Sequence, residues 1–204
     1  MANFFSKLKG VLTQPTKFYK SVLKEKGVGP AFLYYLVFFV LSFALFTIAY
    51  YVGEAGKMYQ DINLSYPILL LFFILGLIVL FIITGILHGF FKLVSGKGKF
   101  EDTFKTYVYA ATPSMIFGLI YYLVMIFVNL NENVALSLAL SLVTLLLLIW
   151  TAFLMVIGGS ILHKISKGKA FLAGVILPAV LMLVLVVFFA FIAVFFGFLF
   201  AASI

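Results

Sequence analysis

Cysteine is absent from this 204-residue chain, and so is arginine: all fourteen basic residues are lysines. Without cysteine there can be no disulfide, thiolate nucleophile or thiolate metal site. Without arginine the chain lacks the bidentate fork that reads phosphates and base edges. Nucleic acid is therefore not an expected partner, despite a net charge of +8. Charge of either sign is scarce, at 10% of residues against a hydrophobic fraction of 66%. A soluble domain with so few polar groups could not cover its own surface. A signal peptide is not expected either, because the first apolar run begins near position 30 and is too long for one.

What is present is a set of five long uncharged stretches: Gly27–Gly53, Ile62–Phe91, Thr106–Asn131, Asn133–His163 and Ala170–Ile204. Each exceeds the roughly 20 residues that a helix rising about 1.5 Å per residue needs to cross a bilayer. The chain therefore reads as an all-α integral membrane protein with five transmembrane helices. The spans run over about 30–53, 66–93, 105–130, 134–163 and 170–202, behind a basic arm over 1–29.

The lysines orient it. Lys7, Lys9, Lys17, Lys20, Lys24 and Lys26 lie in the arm, and Lys92, Lys97, Lys99 and Lys105 follow the second span. Lys164, Lys167 and Lys169 follow the fourth, which leaves Lys57 alone on the opposite side. Positive charge marks the cytoplasmic face, so the N-terminus is expected inside and the C-terminus outside. Tyr34, Tyr35, Tyr50, Tyr51, Tyr66, Tyr107 and Tyr109 bracket the spans at headgroup level. In the arm, Phe4, Phe5, Leu8, Val11 and Leu12 recur at helical spacing. Gln14-Pro15 then breaks the pattern before Phe18 and Val22. These features predict two short amphipathic helices lying on the cytoplasmic membrane surface.

Polar residues inside the spans are few. Gly85 and Gly89 form a small-xxx-small pair suited to close helix approach, and Ser137, Thr144, Thr151 and Gly158 repeat every seven residues as a helix-packing seam. Pro113 removes a backbone hydrogen bond that the adjacent Thr112 and Ser114 hydroxyls can re-satisfy. His88 and His163 fall at cytoplasmic helix ends, where the expected role is an interfacial histidine bonded to a neighbouring helix, the alternative being a group that senses pH or touches a partner. The segments around them are alike. Gly85-Ile86-Leu87-His88 leads to Ser95-Gly96-Lys97-Gly98-Lys99, and Ser160-Ile161-Leu162-His163 leads to Ser166-Lys167-Gly168-Lys169. Each is followed by a span with proline near its start, as in a parallel internal repeat. No phosphate-loop spacing, H-E-x-x-H helix, paired acids or G-x-S-x-G elbow occurs. No catalytic residue, cofactor site or metal site is expected.

Three segments carry a resemblance. They are Lys26-Gly27-Val28-Gly29-Pro30 behind the proline-broken arm, Gly98–Phe104 with Tyr109-Ala110-Ala111-Thr112-Pro113, and Gly158-Gly159 with His163–Ala170. With five spans and a cytoplasmic N-terminus, the chain resembles the prokaryotic branch of the Yip domain family. That family is named for eukaryotic members that interact with Ypt/Rab GTPases in vesicle traffic. The resemblance implies a membrane fold and a role in organising membrane or binding partners, while the acidic-aromatic soluble region of the eukaryotic members has no counterpart in this short basic arm. It directs attention to the cytoplasmic face built by Tyr109, Thr112, Pro113, His163, Lys167 and Lys169, together with Lys97 and Lys99. The expected partners are the bilayer itself, through anionic headgroups, and a protein or a second copy of the chain. The alternative is a small transporter or channel formed by oligomerised helices around the span-four stripe.

The orientation is directly testable. A reporter that is active only outside the cytoplasm is expected to work when fused after Ile204, and a fusion active only inside would reverse the topology.

Overall fold

Five prolines punctuate the chain, and each stands at the first or second residue of a helix. At Pro15, Pro30 and Pro67 the helix begins there, so the missing N–H costs nothing, whereas Pro113 and Pro178 follow directly on a preceding helical segment. The computed structural model describes residues 3–54 and 64–201, so Lys57, Asp61 and Ile204 lie outside the described residues. The helices are α1 (Phe4–Thr13), α2 (Pro15–Val22), α3 (Gly29–Tyr51), α4 (Tyr66–Leu93), α5 (Phe100–Ala110), α6 (Thr112–Phe127) and α7 (Val134–Leu162). After them come α8 (Lys167–Phe171), a π-helical turn (Leu172–Ile176) and α9 (Leu177–Ala201). No strand occurs among the described residues.

Four helical stretches are long and apolar enough to cross a membrane: Gly29–Tyr51, Tyr66–Leu93, Val134–Leu162 and Lys167–Val194. The third expected span differs. Instead of one helix over 105–130 it is a pair, α5 and α6, bent by 44° at Ala111. The cause is Pro113, whose ring disfavours helical geometry at the residue before it and which cannot bond the Tyr109 carbonyl. The Thr112 hydroxyl takes over that carbonyl at 2.7 Å. Counting the bent pair as one span gives five. Near Pro178 the same problem is solved differently: the Leu177 N–H reaches back five residues to the Leu172 carbonyl, as a π-turn.

The long helices overshoot the membrane. At 28 and 29 residues, α4 and α7 extend about 42 and 43 Å, against a hydrocarbon thickness of about 30 Å. Their lysine-flanked ends therefore stand clear of the hydrocarbon and wall in a polar assembly, the basic end of the molecule. Both close with the same cap. The Gly96 N–H returns to the Phe91 carbonyl and the Ile165 N–H to the Ser160 carbonyl, with Ser95 (φ 67°) and Lys164 (φ 54°) in the left-handed region. The order helix, basic turn, helix break, proline and helix thus recurs in α4–α6 and in α7–α9.

The arm differs from the surface-lying pair that its periodicity suggested. Val11, Tyr19 and Val22 are buried, in one core with Phe104, Val108 and Leu154. Helix α2 packs on α7 at Gly158, where an added Cβ would lie 2.6 Å from the Tyr19 ring. One residue on, a Cβ at Gly159 would lie 2.7 Å from the Phe91 ring of α4. Gly85 and Gly89, by contrast, face nothing within 4 Å, so the close approach expected there is not made among the described residues. Away from the basic end the helices are mostly exposed to the surroundings, and the most apolar stretch of the last one buries nothing.

Two glycine substitutions separate these environments. Gly158→Leu is expected to eject Tyr19 and destabilise the fold by about 1–3 kcal/mol. The readouts are a lower melting temperature in detergent and faster proteolysis between α2 and α3. Gly85→Ala, into open space, is expected to cost nothing measurable.

Candidate functional site

The basic end is held by two polar centres, and the first begins in the arm. Lys7 lies on the same helical line as Phe4 and Val11, so the turn that carries the apolar stripe inward carries this lysine with it. Its Nζ pairs with Glu25 Oε1 at 2.6 Å and donates to the Tyr109 hydroxyl at 2.8 Å. Tyr109 in turn donates to Glu25 Oε2 at 2.8 Å, which closes a three-membered ring of charge-assisted bonds. Lys105, also buried, donates to the Glu25 backbone carbonyl at 2.7 Å. Phe18 and Tyr34 pack against the Tyr109 ring, with centroids 5.0 and 5.3 Å away. Because the Thr112 hydroxyl is spent on Tyr109, the Tyr34 hydroxyl 3.1 Å away is the donor to Thr112. Beneath the arm, burial pushes the Tyr19 phenol above its ordinary pKa.

The second centre joins the ends of α4, α5 and α7. The Thr103 hydroxyl lies 2.8 Å from His88 Nδ1 and 3.0 Å from His163 Nε2. One hydroxyl carries one proton, so it donates to one imidazole and accepts from the other. His163 is fully buried and its Nδ1 has no partner among the described residues. If Thr103 donated to His163, the ring's own proton would sit on Nδ1 as a buried N–H without an acceptor, at a cost of about 1–3 kcal/mol. We therefore assign the proton to His163 Nε2, which donates to Thr103, while Thr103 donates to His88. The His163 ring stacks on Phe91, with centroids 4.1 Å apart and planes 9° apart. On its edge lies the Gly96–Gly98 turn, where a Cβ at Gly98 would come within 2.7 Å of Nδ1. The Lys97 N–H donates to the His163 carbonyl at 2.9 Å, and Lys92 Nζ donates to the Gly98 carbonyl at 2.9 Å. Burial, reinforced by His88 and Lys92 and opposed by Asp102, holds the His163 imidazole down to about 4.

The residues expected at an interaction face divide between surface and interior. Lys97, Lys99, Lys167 and Lys169 are exposed. Tyr109, Thr112 and His163 are buried and bond to neighbouring helices, and Pro113 is buried at the bend between α5 and α6. The span-four seam divides as well. Gly158 meets Tyr19, and Thr151 Oγ1 lies 3.1 Å from Ser114 Oγ of α6. Thr144 is exposed with its hydroxyl on the Leu140 carbonyl of its own helix, and the Ser137 carbonyl accepts from Ser141. Lys7, Glu25, Lys105 and Thr103 were missed by sequence reasoning. For Lys7 the signal was there in its place on the apolar line of α1; for Thr103 there was none.

Beside α6 lie two clefts of about 390 and 370 Å3, sharing Ser114, Gly118 and Tyr122 as walls. Among the described residues, no group of three histidines or acids could hold a metal ion.

The Yip1 domain family model matches residues 9–189, which is most of the chain, including α2 through the greater part of α9. No curated protein and no solved structure matches the chain.

Removing one member of the first centre leaves a buried charge without its counterpart. Lys7→Met is expected to destabilise the protein by about 3 kcal/mol, seen as a lowered melting temperature in detergent. Adding Glu25→Gln to that variant is expected to return part of the loss.

Proposed function

The chain belongs to the Yip1 domain family, and on that premise we propose that this multi-pass membrane protein is a non-enzymatic membrane organiser that gathers anionic lipid at its basic end and presents that end to a partner. One observation carries the reading. Lys9, Lys17, Lys20, Lys24 and Lys26 of the arm and Lys97, Lys99, Lys164, Lys167 and Lys169 of the two turns are all exposed at that end. None of them is ion-paired with a described residue, and Glu25, the one acid within residues 1–29, is engaged by Lys7. A compact ammonium at a headgroup surface contributes about 1 kcal/mol, and a set of ten attracts anionic lipid without selecting one headgroup geometry. The positive-inside pattern supports a cytoplasmic location for this face.

The two polar centres support a structural role rather than a reactive one. Their tyrosine, threonine and histidine groups are spent on one another. The competing reading, a solute path through oligomers, is favoured by the clefts beside Gly118. The hydroxyls of Ser141 and Thr144 on that wall are turned onto their own helix, which weakens it as a polar path.

The test is lipid selection in nanodiscs of mixed zwitterionic and anionic phospholipid. The protein is expected to enrich the anionic lipid, with enrichment falling several-fold when Lys97, Lys99, Lys167 and Lys169 are changed to Gln and falling again at high salt. Enrichment indifferent to both changes would sink the electrostatic role. Solute flux through reconstituted vesicles, abolished by Gly118→Trp, would favour the path instead. Photo-crosslinking from Phe100 and Ile165 would then identify any protein at the basic end.

A further inference from the structure

We propose that His163 is an acid-sensitive latch: its neutral ring holds the Gly96–Gly98 turn against the end of α7, and protonation releases that turn. The geometry leaves no room for a second proton. Nε2 already donates to Thr103, and Nδ1 is sealed under the turn without an acceptor. A Cβ at Gly96 or Gly98 would come within 3.1 or 2.7 Å of Nδ1, so the backbone there is in close contact with it. The turn's carbonyls at Gly96 and Gly98 both accept from Lys92 Nζ, at 3.4 and 2.9 Å. Neither carbonyl is within hydrogen-bonding reach of Nδ1 as the turn stands, and the ammonium they share would repel a cationic ring. Phe91, stacked on the ring face, offers no acceptor.

Burial sets the direction, and the charged surroundings adjust it. From α4 the ring faces His88 and Lys92, which oppose protonation, and from α5 it faces Asp102, which favours it. Asp102 is only partly available, because one of its carboxylate oxygens caps α5 by accepting the Lys99 N–H at 2.7 Å. Lys97 and Lys99 on the turn, and Lys164 beside the ring, carry exposed side chains. The closed form therefore takes up a proton near pH 4, whereas a released histidine does so near 6.5. The open form binds protons first, so the latch is fully closed above pH 6.5 and weakens as pH falls toward 4. The opening equilibrium then rises about tenfold per pH unit across that window. Release frees the Lys97 N–H from the His163 carbonyl and changes how Lys97 and Lys99 are presented.

Hydrogen exchange on the full-length protein in nanodiscs reads this directly. After correction for intrinsic exchange, protection of segment 94–99 is expected to be flat above pH 6.5 and to fall about tenfold per unit below it, with α3 unchanged. In His163→Gln the slope is expected to vanish, and in His88→Gln to persist. A slope that survives His163→Gln, or that is shared by the whole chain, would overturn the latch. If His163→Gln does not fold, the wild type still decides. The chain has two histidines, so nitrogen-15 labelling resolves both. His163 carrying its neutral proton on Nδ1 at pH 7.5 would refute the mechanism.

Discussion

The contact on which the rest of the molecule depends is the buried pairing of Lys7 with Glu25 across the Tyr109 hydroxyl. A bilayer offers no water to solvate a charge, so a chain this apolar must gather its polar groups where they can satisfy one another. Here they meet at one end. The arm reaches into the bundle with its lysine, the segment before α3 supplies the carboxylate, and α5 supplies the phenol. Each partner alone would be costly to bury, and together they fix the arm on α5 and α7. Replacing the ring with apolar side chains of equal volume could leave stability unchanged. What the ring contributes is register, since a ring of three donors and acceptors closes in only one alignment of the arm.

Helix length and helix breaking make that end possible. Because α4 and α7 outrun the hydrocarbon, their last two turns supply walls that are neither lipid-exposed nor free in water. Pro113 bends the third segment so that α5 crosses between those walls instead of continuing the line of α6. The glycine pair at 158 and 159 then admits one aromatic ring from the arm and one from α4. Close backbone approach is used here to receive tyrosine and phenylalanine, and not to press two membrane helices together.

How much of this was legible in the sequence depends on what kind of physics set it. The apolar spans, four unbroken and one bent pair, followed from runs without charge, which lipid enforces regardless of tertiary structure. That a neighbouring hydroxyl takes up the Tyr109 carbonyl freed by Pro113 was legible too, because donor and acceptor lie within four residues. The Lys7–Tyr109 bond was not: its partners are separated by 102 positions, and nothing local distinguishes Lys7 from Lys9 except its helical phase. Lys105 was counted among the surface charges on the same ground, because a lysine count is blind to which way α5 turns. His88 and His163 were placed at helix ends bonded to neighbouring helices, yet that a single threonine joins them depends on the bend at Ala111. Seven-residue periodicity suggested one seam for Ser137, Thr144, Thr151 and Gly158. The structure places Thr144, Thr151 and Gly158 in three different environments, because α7 passes from an exposed stretch to the polar assembly along its length.

The separation of Lys7 from Tyr109 along the chain also bears on biosynthesis. The arm is made before the spans, and Glu25 follows Lys7 closely, yet the Tyr109 hydroxyl that closes the ring is missing until the third hydrophobic segment has emerged and α5 has turned back over the bundle. Until then the arm must stay in water with its apolar stripe uncovered. The part of the basic end made first is therefore among the last to lock, and docking of the arm reports that the middle of the chain has inserted correctly.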